Sequence, residues 1–150
     1  MNLYAESSAV LTWLLGESRA SAVQHQLRSA DIVLASDLTL VECERVIIRA
    51  RVLNEITEKR AGACRARLLK ASSQWHVLRL GGDVVGRARL PFPAEPVRTL
   101  DALHIASAII GRTAVPDLAL LSLDQRVRSA ARLLGFLTLP KITGSNVNQS

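Results

Sequence analysis

The sequence predicts an α/β domain, a three-layer α/β/α sandwich around a mostly parallel central sheet. Three observations predict it. Short apolar runs end near Ala5, occupy Ile32–Ala35, Trp75–Leu80 and Leu118–Leu121, and recur in FLTLP after Gly135. Between them lie segments whose apolar residues follow the helical period of about 3.6, and strands separated by helices run parallel with helical cover on both faces. Finally, the chain has 150 residues, 49% of them hydrophobic, and no Gly-, Ser- or Pro-rich linker divides it. That is one domain with a full core, assigned to residues 1–142, followed by a tail, TGSNVNQS (143–150), expected to be disordered.

Each element has a local reason. The N-terminal run to Ala5 is the first strand, and Ser7 or Ser8 can cap a helix over Ala9–Leu15. Glu17–Ser29 reads as a second helix, and Ile32–Ala35 as a short buried strand. Ser36 or Asp37 then opens a helix to about Val52, in which Leu40, Ile47 and Ile48 form a stripe with Val41 and Cys43 beside it. In Glu55–Ala71, Ala61, Cys64 and Leu68 line one side while Lys59, Arg67 and Lys70 fall on another. Trp75–Leu80 is an edge strand, Gly82–Leu90 a short helix and PFPAEP a rigid loop. Thr99 caps an apolar helix to Ile110, Leu118–Leu121 is a buried strand, Gln125–Leu134 a helix, and Gly135 turns the chain into the last strand.

The formal net charge is +6, and between Arg45 and Lys70 eight basic residues face two acids, so the whole excess lies in that segment. Such a surface suits a polyanion, because each neutralised phosphate releases counterions; it equally suits a solvated helical face. Aromatic residues are only 3%, which excludes a base-stacking platform. The apolar runs are too short to span a bilayer, and no basic region with a long apolar stretch and cleavage site opens the chain. A soluble, cytoplasmic protein is expected. Cys43 and Cys64 sit inside helical patterns and read as small buried hydrophobes rather than a disulfide or zinc pair.

Of thirteen acids, four are placed to act together. Glu6 ends the first strand, Glu42 lies early in the helix after the second, Asp101 opens the helix of RTLDALHIASAII, and Asp124 follows the strand of LALLSLD. Singly, each has an ordinary reading as a helix-terminal or exposed acid. Jointly, they overhang the carboxyl end of one sheet, where ligand crevices of α/β folds form. Four convergent carboxylates repel one another unless a cation lies among them. Oxygen ligands without a histidine or cysteine partner select Mg²⁺ or Mn²⁺ rather than zinc. Held by carboxylates, such ions activate water and stabilise charge in phosphodiester hydrolysis. Glu6, Asp101 and Asp124 are the candidates for coordination, with Glu42 closing the site.

Neighbouring residues have two-sided readings. Arg98, one turn before Asp101, meets a phosphate or pairs with an acid. Ser7 and Ser8 suit capping or contact with the acids behind the metal. His104 invites a general-acid role, but its apolar helical neighbours favour a hydrogen-bonded structural histidine. Glu44 falls on nearly the opposite helix face from Glu42 and is left out. GGDVVGRA lacks the Lys-Ser/Thr of a phosphate loop, and Ser7-Ser8 lacks the glycines of a nucleophile elbow.

Four blocks, YAESSAVLTWLLGE, LTLVECERVIIRA, RTLDALHIASA and LLSLDQRVRSAARLLGF, together resemble the PIN-domain family and its bacterial VapC-type toxin branch. The resemblance covers nearly the whole chain in the family's order and spacing. It implies a PIN-like fold and a metal-dependent endoribonuclease acting as the toxin of a toxin–antitoxin pair. Glu6, Glu42, Asp101 and Asp124 match the family's acids in order, with Ser122 as the polar partner of the closing Ser/Thr-x-Asp element. The first position is more often aspartate in the family, so Glu6 ligates from a backbone set further back. The branch further implies an RNA substrate, a homodimer and a cognate antitoxin whose C-terminal segment lies across the acidic crevice. Trp13 and Leu14 suit such an interface and suit core packing equally. The alternatives are a PIN-type RNA-processing nuclease without an antitoxin and a non-catalytic RNA-binding module.

Overall fold

The computed structural model describes residues 1–142, and the tail expected at 143–150 lies outside them. Five strands form one sheet: β1 (Asn2–Ala5), β2 (Ile32–Ser36), β3 (His76–Leu78), β4 (Leu118–Leu121) and β5 (Thr138–Leu139). Their order is β3-β2-β1-β4-β5, and every pairing is parallel. The helices are α1 (Ser7–Leu15), α2 (Ala20–Ser29), α3 (Asp37–Val52), α4 (Glu58–Ser72), α5 (Gly82–Ala88), α6 (Thr99–Ala114) and α7 (Gln125–Leu133). From the central strand the chain steps outward to β3, then crosses back through α5 and α6 to lay β4 on the other side of β1. The order therefore reverses between β1 and β4, and the connections leaving their carboxyl ends diverge to open a crevice.

The two-residue period of the strands distributes the core. Leu3 and Ala5 face one side with Ala119 and Leu121, while Tyr4 faces the other with Leu34, Leu118 and Leu120. Both faces are buried, which is why β1 and β4 read as continuous apolar runs without alternation. Helices α1–α4 cover the first side, and α5–α7 cover the second. Helix α6 comes close to the sheet at Gly111, where an added Cβ would lie 2.8 Å from Leu34 Cδ1. Cys43 and Cys64 are buried and free.

Several boundaries differ from the sequence expectation for identifiable reasons. Gly16, at φ 66°, ends α1, and Glu17 N–H still returns to the Thr12 carbonyl, so α2 starts at Ala20 and not at Glu17. Glu55 and Ile56 donate back to the Ala50 carbonyl and close α3, so α4 starts at Glu58, capped by Thr57. Arg98, not Thr99, is the N-cap residue of α6, which continues to Ala114. The stripe on α3 is rotated from the expected one: Leu38, Cys43, Ile47 and Ala50 are buried, while Val41 and Ile48 are exposed. Leu14 is buried and Trp13 packs against the same core, so both serve packing here.

The basic segment falls on α3 and α4, and half of its cations already have partners. Arg51 pairs with Glu58, Arg65 lies 3.6 Å from Glu44, Arg60 donates to the Leu15 carbonyl, and Arg67 stacks 4.8 Å from the Trp13 ring centroid. Among the described residues, no helix is long and apolar enough to cross a membrane.

Candidate functional site

The site is built outward from Glu6. Strand β1 ends at Ala5, but Glu6 N–H still donates to the Leu121 carbonyl at 3.0 Å, so the residue is fixed to β4 as the chain turns. Its side chain then caps α1, replacing the expected serine caps: Oε1 accepts from Ser8 N–H at 3.1 Å and Ser7 Oγ at 2.8 Å. On the other oxygen, Oε2 accepts from Ser8 Oγ and from Ser122 Oγ, the latter at 2.7 Å. Four donors on one buried carboxylate account for an acid at this point of an apolar segment.

The loop after β4 is tied to the same hub. Ser8 Oγ accepts from the backbone N–H of Leu123 at 2.9 Å and of Asp124 at 3.1 Å, which binds the start of α1 to the start of α7. Asp124 Oδ1 caps α7 through Arg126 N–H and Val127 N–H, while Oδ2 has no protein donor among the described residues. Asp101, in the first turn of α6, is half-buried and has no side-chain hydrogen bond among the described residues. Burial raises its pKa above the ordinary aspartate value, as do the charges of Asp124 and Glu6, against partial relief from Arg98 and His104. Asp101 thus registers the convergence of the acids.

Glu42 reaches the hub from α3. Ser7 Oγ lies 3.0 Å from Glu42 Oε1, and His104 Nε2 lies 2.5 Å from the same oxygen. Burial raises the Glu42 pKa, but the His104 and Ser7 hydrogen bonds outweigh it and hold the carboxyl below its usual value. His104 is fully buried, and its Nδ1 lies 3.0 Å from Tyr4 Oη, which is itself 3.0 Å from Ser36 Oγ. Burial pushes the Tyr4 phenol up to about 12, so it stays protonated and anchors the ring from behind. His104 is hydrogen-bonded at both nitrogens, as a structural histidine should be, yet one partner is a site acid.

All four predicted acids are therefore brought to the carboxyl ends of β1, β2 and β4, together with Ser7 and Ser122. Glu44 pairs with Arg65 and stays apart. Arg98 makes no ion pair among the described residues. Ser8 contacts Glu6 as the sequence suggested, but its link to the Asp124 loop and the support that Tyr4 gives His104 were not legible there. The available signal for His104 was its spacing, one helical turn after Asp101 on the same face of α6.

Single ligand atoms of Glu6, Glu42 and His104 lie within 4.8 Å of one another, close enough to share a metal ion. Asp101 and Asp124, two of the three acids expected to coordinate, lie outside this close group and are linked to it through charge, Asp124 and Glu6 both acting to raise the Asp101 pKa. Burial raises that pKa most, and the two neighbouring charges add to it, a setting in which a divalent cation would be held favourably.

Comparison with known proteins agrees with this geometry. The PIN domain matches residues 3–133. Ribonuclease VapC46 of Mycobacterium tuberculosis is 30% identical over 137 residues, which is 91% of this chain and 95% of that protein. Two solved structures share the fold. VapC20 of M. tuberculosis, a Sarcin-Ricin loop cleaving toxin, matches with a TM-score of 0.62 at 16% identity over 85% of this chain and 94% of that one. VapBC2 of Rickettsia felis, bound to a DNA fragment from its promoter, gives 0.60 at 10% identity over 92% and 97%. With a match that runs from the first strand to the last helix, and a relative sharing nearly a third of its residues, the chain belongs to the PIN-domain family, on its VapC-type branch.

Proposed function

We propose that the protein is a metal-dependent endoribonuclease that hydrolyses RNA phosphodiesters and acts as the toxin of a toxin–antitoxin pair. The observation that carries this reading is the placing of Glu6, Glu42, Asp101 and Asp124 at one end of the sheet, where burial first, and then the charges of Asp124 and Glu6, raise the Asp101 pKa. The relative called a ribonuclease and the structural neighbour solved as a VapBC complex support it.

Asp101 and Asp124 offer carboxylate oxygens that no protein donor occupies among the described residues, and they are the direct ligands in this reading. Glu6 joins them when a serine hydroxyl turns its proton away, since three of its four donors are the hydroxyls of Ser7, Ser8 and Ser122. A bound Mg²⁺ or Mn²⁺ supplies positive charge to the phosphate and makes water more acidic at neutral pH. Glu42, held by His104, closes the crevice on the α3 side, and Ser122 keeps Glu6 in register with the Asp124 loop. A cytoplasmic location, a homodimer and a cognate antitoxin across the acidic crevice follow from the family.

The test is cleavage of a labelled total RNA pool by the full chain with Mg²⁺ or Mn²⁺, beside EDTA and an Asp101→Asn variant. Metal-dependent cutting that the variant loses is the expected result. RNA that is bound but never cut, under any metal condition, refutes the nuclease reading. Co-expression with the product of a neighbouring small reading frame should suppress cutting, and equal activity with and without it refutes the antitoxin.

A further inference from the structure

We infer that the groove between residues 94–98 and α7 is the channel along which RNA enters the acid cluster, with Arg98 and Arg126 as its phosphate contacts; this rests on the nuclease reading above. The groove has a volume of about 730 Å³, and its lining includes Arg98, Asp101 and Arg126 beside the apolar Pro96, Val97 and Leu133. Asp101 belongs to both the groove and the cluster, so a chain lying in one is delivered to the other.

The local structure explains why these two arginines are set in place. Pro91, Pro93 and Pro96 restrict the backbone of the loop, and Glu95 fastens it: Oε1 accepts from Phe92 N–H at 2.8 Å and Oε2 from Val97 N–H at 2.7 Å. Arg98 follows directly as the N-cap residue of α6, three positions before Asp101. Arg126 stands in the first turn of α7, and its N–H is held by Asp124 Oδ1 at 2.8 Å. The backbone of each arginine is therefore held at a fixed spacing from one of the site acids. Both are exposed, and neither makes an ion pair or a side-chain hydrogen bond among the described residues. Two free guanidinium groups beside an apolar surface complement the alternating phosphate and ribose of an RNA strand.

The charge-rich segment on α3 and α4 is the competing track. Four of its eight cations are engaged within the chain, and its nearest to the site, Arg45 and Arg49, follow Glu42 along the exposed face of a helix rather than a groove. Sequence charge alone would have put RNA there.

The experiment uses the full chain and a labelled single-stranded RNA that the wild type cuts at one mapped position. Kinetics are compared for Arg98→Ala/Arg126→Ala, Arg98→Lys/Arg126→Lys and Arg45→Ala/Arg49→Ala. Binding is measured against salt concentration on an Asp101→Asn background with Mg²⁺. The groove pair should raise KM roughly tenfold, with a smaller fall in kcat. Loss of two phosphate contacts should make the slope of log Kd against log salt shallower by about 1.4, at roughly 0.7 per contact for single strands. The lysine pair should keep most of that slope, which a purely structural role would not predict, and the α3 pair should leave KM within about twofold. Cleavage with unchanged KM in the groove pair, or a KM effect confined to the α3 pair, overturns the inference while leaving the nuclease reading intact. The groove is then a seat for a protein segment instead. A wild type that cuts no RNA overturns both.

Discussion

Arg128 is the residue whose removal should cost most for a reason the sequence does not announce. It is fully buried on α7, and its guanidinium donates to the carbonyls of Ser122 at 2.6 Å, Leu139 at 2.9 Å and Pro140 at 3.0 Å. One side chain thus joins the end of β4 to the end of β5 behind the acid cluster. A hydrogen bond from a charged donor contributes about 1.5–3 kcal/mol, so three give a gross stabilisation of about 4.5–9 kcal/mol. Against this stands the desolvation of the guanidinium, whose pKa burial lowers, as do Arg132 and Arg19, and whose Nε has no partner among the described residues. Truncation removes the charge itself and leaves three carbonyls without that donor, at about 1–3 kcal/mol per unsatisfied acceptor, or about 3–5 kcal/mol once the relieved desolvation is set against it. At about 2–4 °C per kcal/mol for a domain of this size, Arg128→Ala should lower Tm by about 10 °C. Urea denaturation followed by circular dichroism, with the m-value checked for constancy, measures it. Arg128→Lys should recover about half, because an ammonium reaches fewer of the three carbonyls. A loss below about 1 kcal/mol for the alanine variant would refute the reasoning and show that water replaces the guanidinium at little cost.

Three more outcomes are expected. In metal-free protein Asp101→Asn should raise Tm at neutral pH: the folded-state pKa of Asp101 is raised, so wild-type stability falls as pH rises from the ordinary aspartate value toward that raised value. The gain should vanish well below the ordinary value, where both forms are neutral, and a pH-independent gain would point elsewhere. At ten times its Kd, Mg²⁺ should stabilise the wild type by about 1.4 kcal/mol, a Tm rise of about 3–5 °C, and leave Asp101→Asn/Asp124→Asn unshifted in the same thermal scan. Tyr4→Phe removes the hydroxyl between Ser36 and His104 and should cost about 1–2 kcal/mol in urea denaturation; because His104 then loses its anchor behind Glu42, RNA cleavage by the folded variant should fall as well.

The parts of the fold legible in the sequence were those governed by period and punctuation. Continuous apolar runs bounded by polar residues marked β1, β2 and β4, and the rule that α/β crevices open at strand carboxyl ends led from them to Glu6 and Asp124. Caps and faces were less legible. Glutamate is an uncommon N-cap, and Glu6 takes the role because Ser122, 116 positions away, supplies a further donor. Helical period groups residues on a face without saying which face meets the core, so Ile48 was placed in the stripe although it is exposed, while Cys43, set beside the stripe, is buried. Arg128 reads no differently from Arg126 or Arg132 along α7, yet one is buried beneath two strand ends and another borders a groove. His104 was set aside because its neighbours are apolar. They are, and the ring still reaches Glu42.

Because β1 is the middle strand, with β2 on one flank and β4 on the other, the cluster is assembled late in the life of the chain. Glu6, Glu42 and Asp101 are present once about two thirds of the residues have been made, but the hub around Glu6 also needs Ser122, and Asp124 arrives only with β4. A ribosome translating this protein therefore carries a chain without the Glu6–Ser122 tie until more than 120 residues have been made and β4 has docked beside β1.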